Sequence, residues 1–188
     1  MIFIEIEGYE KTLCPMSISI PYSGLNDSLQ HTESLCSVRC MYESDLFALL
    51  TLQNEIKAVV KDDQKTLFTG RIKAESSWTD IGTPVPLADL SFSIADNTYL
   101  LDRKTESEIA LIHRNLFDII KRIADDCGLK IENASDSSQT EITVFVLDKG
   151  ASYLQAFNNI LFQYGYAFFF TETGKIRIEN LYDKIDSE

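Results

Sequence analysis

Histidine is scarce in this chain of 188 residues, with two, and tryptophan occurs once. So few imidazoles leave little material for a triad or a histidine-based metal centre. The four cysteines, Cys14, Cys36, Cys40 and Cys127, are too sparse for a disulfide scaffold and read as small buried hydrophobes. No run approaches the roughly 20 apolar residues of a membrane helix, which argues against insertion in a membrane. The first residues alternate apolar and acidic and lack the basic start and apolar core of a signal peptide, so synthesis is expected in the cytoplasm. Basic charge is also short. With 17 Lys and Arg against 29 Asp and Glu, the net charge is −12. Residues 1–105 carry 9 basic and 15 acidic groups and residues 106–188 carry 8 and 14, so each part is net −6. An evenly acidic surface repels phosphate and argues against tight nucleic-acid binding.

What is present is a β-rich first hundred residues. Phe3–Glu7 and Met16–Pro21 alternate, a Ser23-Gly24 turn follows, and Ser34–Tyr42 places Cys36, Val38, Cys40 and Tyr42 on one face. Glu43–Leu52 suggests a helical turn or two. Glu55–Lys61 and Thr66–Ser76 flank Asp62-Asp63-Gln64-Lys65 as a hairpin. Pro84 and Pro86 mark a loop, Leu87–Ile94 alternates again, and Asp96 can cap a turn through Tyr99, Leu100 and Leu101. Strands at such spacing predict a small β-barrel or sandwich. Its core is expected to hold Phe3 or Ile4, Ile18, Val38, Ile56, Val59, Phe68, Ile72, Leu90 and Phe92.

The last third repeats one grammar. Asn115 caps a helix to Cys127 that Gly128 stops, with Leu116, Ile119, Ile120, Ile123 and Cys127 as its stripe. Ser152 and Gln155 form a capping box for a helix to Tyr164, striped by Leu154, Phe157, Ile160, Leu161 and Tyr164 and stopped by Gly165. Thr140–Leu147 reads as a strand, and Tyr166–Thr171 and Lys175–Leu181 as a hairpin about Glu172-Thr173-Gly174. All three strands are expected in one sheet whose single face covers both helices. Overall the class is α+β. The boundary falls in the charged stretch Asp102–Glu108, giving a β-rich, tube-like domain over 1–104 and a two-helix domain with an antiparallel sheet over 105–188.

Several groupings invite a site and each has a plainer explanation. His31, Cys36 and Cys40 could ligate a metal, yet a closed zinc site needs a fourth ligand and tighter spacing, and core packing is the better account. Cys127 and His113 could form a nucleophile–base pair. Cys127, however, lies at a helix C-terminus, where the dipole disfavours a thiolate. Asp62-Asp63 is turn chemistry and Asp125-Asp126 a solvated helix face. Trp78 reads as a packing residue, and Gly70, alone between Thr69 and Arg71, makes no phosphate loop. No catalytic, cofactor-binding or metal residue is nominated, and no cofactor is expected.

The order of motifs carries a resemblance. Leu67-Phe68-Thr69-Gly70-Arg71-Ile72 is followed by a strand entering Asp96–Arg103, by Asn115–Ile120, and by Cys127-Gly128-Leu129. Ala156–Phe162, Gly165-Tyr166-Ala167-Phe168 and Thr173–Ile178 complete the order. This resembles the tail hub proteins of bacteriophages and related injection machines: baseplate hubs, late-control proteins and the base of type VI secretion spikes. The resemblance implies a structural, non-enzymatic role assembled into a phage particle or tail-like device, beside other tail or baseplate proteins. It also implies a homotrimer in the full assembly, each subunit giving two tube-like barrels. This chain is expected to supply only the first barrel and the domain after it, and so to be monomeric or weakly associated in dilute solution. The alternatives are a generic protein–protein adaptor and, less favoured, a fragment of a tail-associated cell-wall hydrolase.

Overall fold

A computed structural model describes residues 1–21, 31–52, 55–72, 77–80, 88–134 and 140–182, with the side chains of 77–80, 88, 133 and 134 left aside. The expected Ser23-Gly24 turn and the loop at Pro84 and Pro86 lie outside these residues. So do residues 73–76 of the Thr66–Ser76 strand and the side chain of Trp78. The class is mixed α and β, rich in strands. The chain divides into two compact units: Met1–Tyr22 with Glu33–Asn97 and Glu172–Gly174, and Ser23–Thr32 with Thr98–Thr171 and Lys175–Glu188. The main division falls between Asn97 and Thr98, whereas the charge pattern set the boundary at 104/105.

The first unit is a seven-stranded sheet. Its strands are β1 (Ile2–Ile6), β2 (Ser17–Ser19), β3 (Leu35–Met41), β4 (Ile56–Asp62), β5 (Lys65–Ile72), β6 (Ser77–Asp80) and β7 (Ala88–Ala95), with helix α1 (Ser44–Leu52) between β3 and β4. The order is β1-β4-β5-β7-β3-β2, with β6 also on β7. Asp63, at φ 50°, and Gln64 turn β4 into β5, as the Asp-rich tetrapeptide predicts. The segment before β2 reaches both ends of the sheet. Leu13 exchanges backbone bonds with Ile4 of β1 at 2.8 and 3.0 Å, and Met16 N–H donates to Arg39 of β3 at 2.8 Å.

Alternation decides what this sheet buries. Ile4, Val38, Ile56, Phe68, Ile72, Leu90 and Phe92 are all buried, as the period-two pattern predicts. Ile4 takes the place that Phe3 might have had, and Ile18 is half-buried. Val59 is a correction. It is half-buried while Ala58 and Val60 are fully buried, because β4 counts inward from Ile56 in steps of two. Tyr42 lies past the end of β3 and is exposed, so the inward row stops at Cys40.

The second unit holds α2 (Thr98–Leu101), β8 (Ile109–Asn115), α3 (Leu116–Asp126), β9 (Ile131–Ala134), β10 (Glu141–Leu147), α4 (Tyr153–Gln163), β11 (Tyr166–Phe170) and β12 (Ile176–Asn180). Both long helices begin as their caps dictate. The Asn115 side chain accepts from Asp118 N–H at 2.7 Å, and Ser152 Oγ accepts from Gln155 N–H at 3.3 Å. Gly128 and Gly165, at φ 70° and 78°, take the left-handed stop. The stripe Leu116, Ile119, Ile120, Ile123 and Cys127 is wholly buried. Phe157, Ile160 and Leu161 are buried on α4, with Leu154 and Tyr164 half-buried.

The strands of this unit correct the single antiparallel sheet. β10 pairs antiparallel with β8 as a separate two-stranded ribbon. β12 pairs antiparallel with β11 and parallel with β9, so the three-stranded sheet is mixed. Helix α3 packs on β8, β9 and β10, while α4 packs on β11. The helices therefore cover two sheets between them.

Gly70 is where β5 and β7 come closest. A Cβ at this position would stand 1.9 Å from the Ala95 carbonyl oxygen, which is backbone and has nowhere to go. Gly70→Ala should therefore lower the stability of the first unit by about 1–3 kcal/mol, the usual cost of forcing one extra carbon into a packed site. Urea unfolding followed by circular dichroism checks this.

Candidate functional site

The first unit has a concave outer surface where β2, β3 and β7 lie side by side. Strand pairing brings Ser17 opposite Arg39 and Ser91 opposite Arg39, and Ser19 opposite Ser37 and Ser37 opposite Ser93. These residues, with Ile18, Val38 and Phe92 beneath, line a shallow depression of about 370 Å³. Five small hydroxyls flank one guanidinium. Arg39 is held by Asp89, whose side chain is only 5% exposed, while that of Arg39 is 53% exposed. A buried carboxylate needs such a partner to remain charged. The depression offers hydroxyl donors and acceptors, and the one guanidinium on its lining is already engaged by Asp89.

A second polar cluster lies in the same unit. Tyr9 OH donates to Glu43 Oε2 at 2.6 Å and Lys11 Nζ donates to the same oxygen at 2.9 Å. The Tyr9 hydroxyl and the Lys11 ammonium hold the Glu43 carboxyl below its ordinary value. Burial first, and then the bond to Glu43, raise the Tyr9 phenol. The cluster ties the turn after β1 to the start of α1.

The residues weighed from sequence fall in separate places. Cys36 and Cys40 face the first unit's core, where burial pushes their thiols up to about 12 and about 11. His31 is buried in the second unit. Its Nε2 lies 2.8 Å from Thr98 Oγ1, and its ring centre lies 4.7 Å from that of Phe168, tilted, and 5.5 Å from that of Phe170, edge-on. Asn158 accepts from the His31 backbone N–H at 3.1 Å. His31 is thus a packed core residue, and the three do not converge. Among the described residues, no group of three His, Cys, Asp or Glu is placed to hold a metal.

Cys127 caps α3 with its thiol buried and pushed up to about 11, while His113 stands exposed on β8 with Nδ1 3.1 Å from Glu141. Asp62 and Asp63 bond the N-terminal ammonium at 2.7 and 3.0 Å. Asp126 pairs with Arg122 one turn back on α3 at 3.3 Å. Cys14 is exposed. No helix is long and apolar enough to cross a membrane, among the described residues.

Comparison with known proteins gives the fold its class. No family model and no curated protein matches the chain. Solved structures do. One is a 43 kDa tail protein of a Shewanella oneidensis prophage, with TM-score 0.71, 15% identity, and coverage of 95% of this chain and 55% of that one. A tail protein from Neisseria meningitidis follows at TM-score 0.65 and 15% identity, covering 94% and 49%. A third is an E. coli type VI secretion component described as structurally similar to T4 bacteriophage tail proteins. It has TM-score 0.55 and 10% identity over 93% and 48% of the two chains. The chain thus shares its fold with these phage tail and type VI secretion proteins. It spans about half the length of the solved structures it matches.

Two outcomes follow from the polar contacts. Arg39→Met strands the buried Asp89 carboxylate and should destabilise by about 1–3 kcal/mol. Arg39→Met with Asp89→Leu should recover most of that loss in denaturant titrations. The Glu43 carboxyl is held lower in the folded chain than in the unfolded one. Its contribution is present above the ordinary value of 4.5 and lost as pH falls through the lowered folded value. Wild type and Glu43→Gln should therefore differ in melting temperature at neutral pH and converge in acid.

Proposed function

We propose that this chain is a structural, non-enzymatic component of a phage tail or prophage-derived injection machine, acting at the tail or baseplate hub. The observation that carries the reading is the fold, shared with tail and type VI proteins over nearly the whole chain. In this reading the first unit is the tube-like barrel. Support comes from the segment Leu13–Ser19, which bonds to β1 at its start and to β3 at its end and so links both edges of the sheet. Residues 1–104 and 105–188 act as tube-like and docking domains, with the short helix α2 packing in the second core through Leu101.

The partners are other tail or baseplate proteins, with a homotrimer in the full assembly. One solved relative, a Francisella complex of PdpA with VgrG, matches at TM-score 0.52 and 14% identity, over 94% of this chain and 28% of that one. That structure is a complex of two proteins, in keeping with assembly among partners. The even charge of −12 suits a wall past which phosphate must move without adhering.

The test is where the protein ends up. Quantitative mass spectrometry of tail particles purified from the source strain should find the chain at trimer-level stoichiometry against the tube protein. Absence from intact particles would overturn the reading. A mobility-shift assay with duplex DNA at low salt should show no retention, and tight binding there would overturn the acidic-wall reading.

A further inference from the structure

The exposed side of β8 carries a pattern that complements itself. Glu108, just before the strand, and Ala110, Ile112 and Arg114 within it are all exposed, while Ile109 is buried and Leu111 half-buried. On β10, Val144 lies opposite Ile112 and Val146 opposite Ala110. Ile112, Val144 and Val146 are 63%, 59% and 52% exposed, far more than such side chains ordinarily are. The ribbon thus presents an apolar face with an acid at one end of β8 and a base at the other. Among the described residues β8 pairs only with β10, so its second edge meets no strand. Lysine and proline, which commonly guard such edges, are absent from β8, and its one departure from extended backbone is the exposed His113, at φ 48°.

We propose that this edge pairs with the same edge of a second copy, antiparallel, about a two-fold axis at Leu111. In that register Glu108 lies opposite Arg114 of the partner subunit, and Ala110 opposite Ile112 of the partner subunit. Each pairing occurs twice, as a two-fold contact requires. A slip of two residues one way sets Arg114 against alanine, and the other way keeps an acid, Glu106, opposite Arg114 but sets Glu108 against isoleucine. One register alone therefore satisfies both the charges and the apolar side chains. Charge complementarity within a single strand selects a second copy as the occupant. The bulk charge of −12 on each copy opposes the approach, so the dimer is weak and forms at high protein concentration.

This contact closes at two copies and cannot propagate around a ring. It stands apart from the tail reading and is tested apart from it. Sedimentation equilibrium of the full chain up to about millimolar concentration should show a monomer–dimer equilibrium. Glu108→Arg and Arg114→Glu should each weaken it about tenfold, since each places like charges opposite one another. The double variant restores opposite charges and should return the dissociation constant to within about threefold of wild type. Ile112→Lys, at an exposed position, should abolish the dimer with an unchanged circular dichroism spectrum. A wild type that stays monomeric throughout overturns the proposal. So does a double variant no tighter than the singles while all variants remain folded.

Discussion

The first unit depends on one close approach, that of β5 to β7 at Gly70 and Ala95. β7 is the hub of its sheet, taking β3, β5 and β6 as neighbours. The β5–β7 ladder is short, running through Arg71 with Ala95 and Ile72 with Ile94. It is nonetheless the join between the β1-β4-β5 half and the β7-β3-β2 half. Without it, Ile4, Ile56 and Phe68 would have no facing layer in Val38, Leu90 and Phe92. Gly70, alone between Thr69 and Arg71 and part of no phosphate loop, is what lets the two halves meet.

The second unit was the more legible, for a physical reason. Helix ends are local chemistry. An Asn or Ser that accepts an amide three residues on, and a glycine that takes a positive φ, need no knowledge of distant partners. Asn115, Ser152, Gly128 and Gly165 could therefore be read directly. Sheet membership is not local, and there the reading failed: Thr140–Leu147 was a strand as expected but joined β8 rather than the hairpin. β8 itself went unseen because its outward positions, Ala110 and Ile112, are apolar. A strand apolar on both faces loses the alternation that would announce it. β9 is only four residues long, and no pattern of period two can be established over that span.

In the first unit the inward row on β4 was recoverable. Ala58, Val59 and Val60 are all apolar, but stepping by two from Ile56 selects Ala58 and Val60. The weighed sites had a common fate. Cys36, Cys40 and Cys127 are reactive side chains used for volume, and the burial that makes them useful raises their thiols. His31 is buried as well, with its ring held at Thr98 and against Phe168. A single sequence is nearly silent about surfaces, since exposed positions carry little pattern of their own.

The mixed sheet of the second unit has a kinetic consequence. β11 and β12 are joined by a short turn, so their pairing closes a small loop and forms early. β9 must instead find β12 from the far side of β10 and α4, in parallel, and in a register that slips between Ile176 and Arg177. The C-terminal hairpin is therefore expected to form ahead of the β9–β12 pairing, whose closure spans the longer stretch of chain.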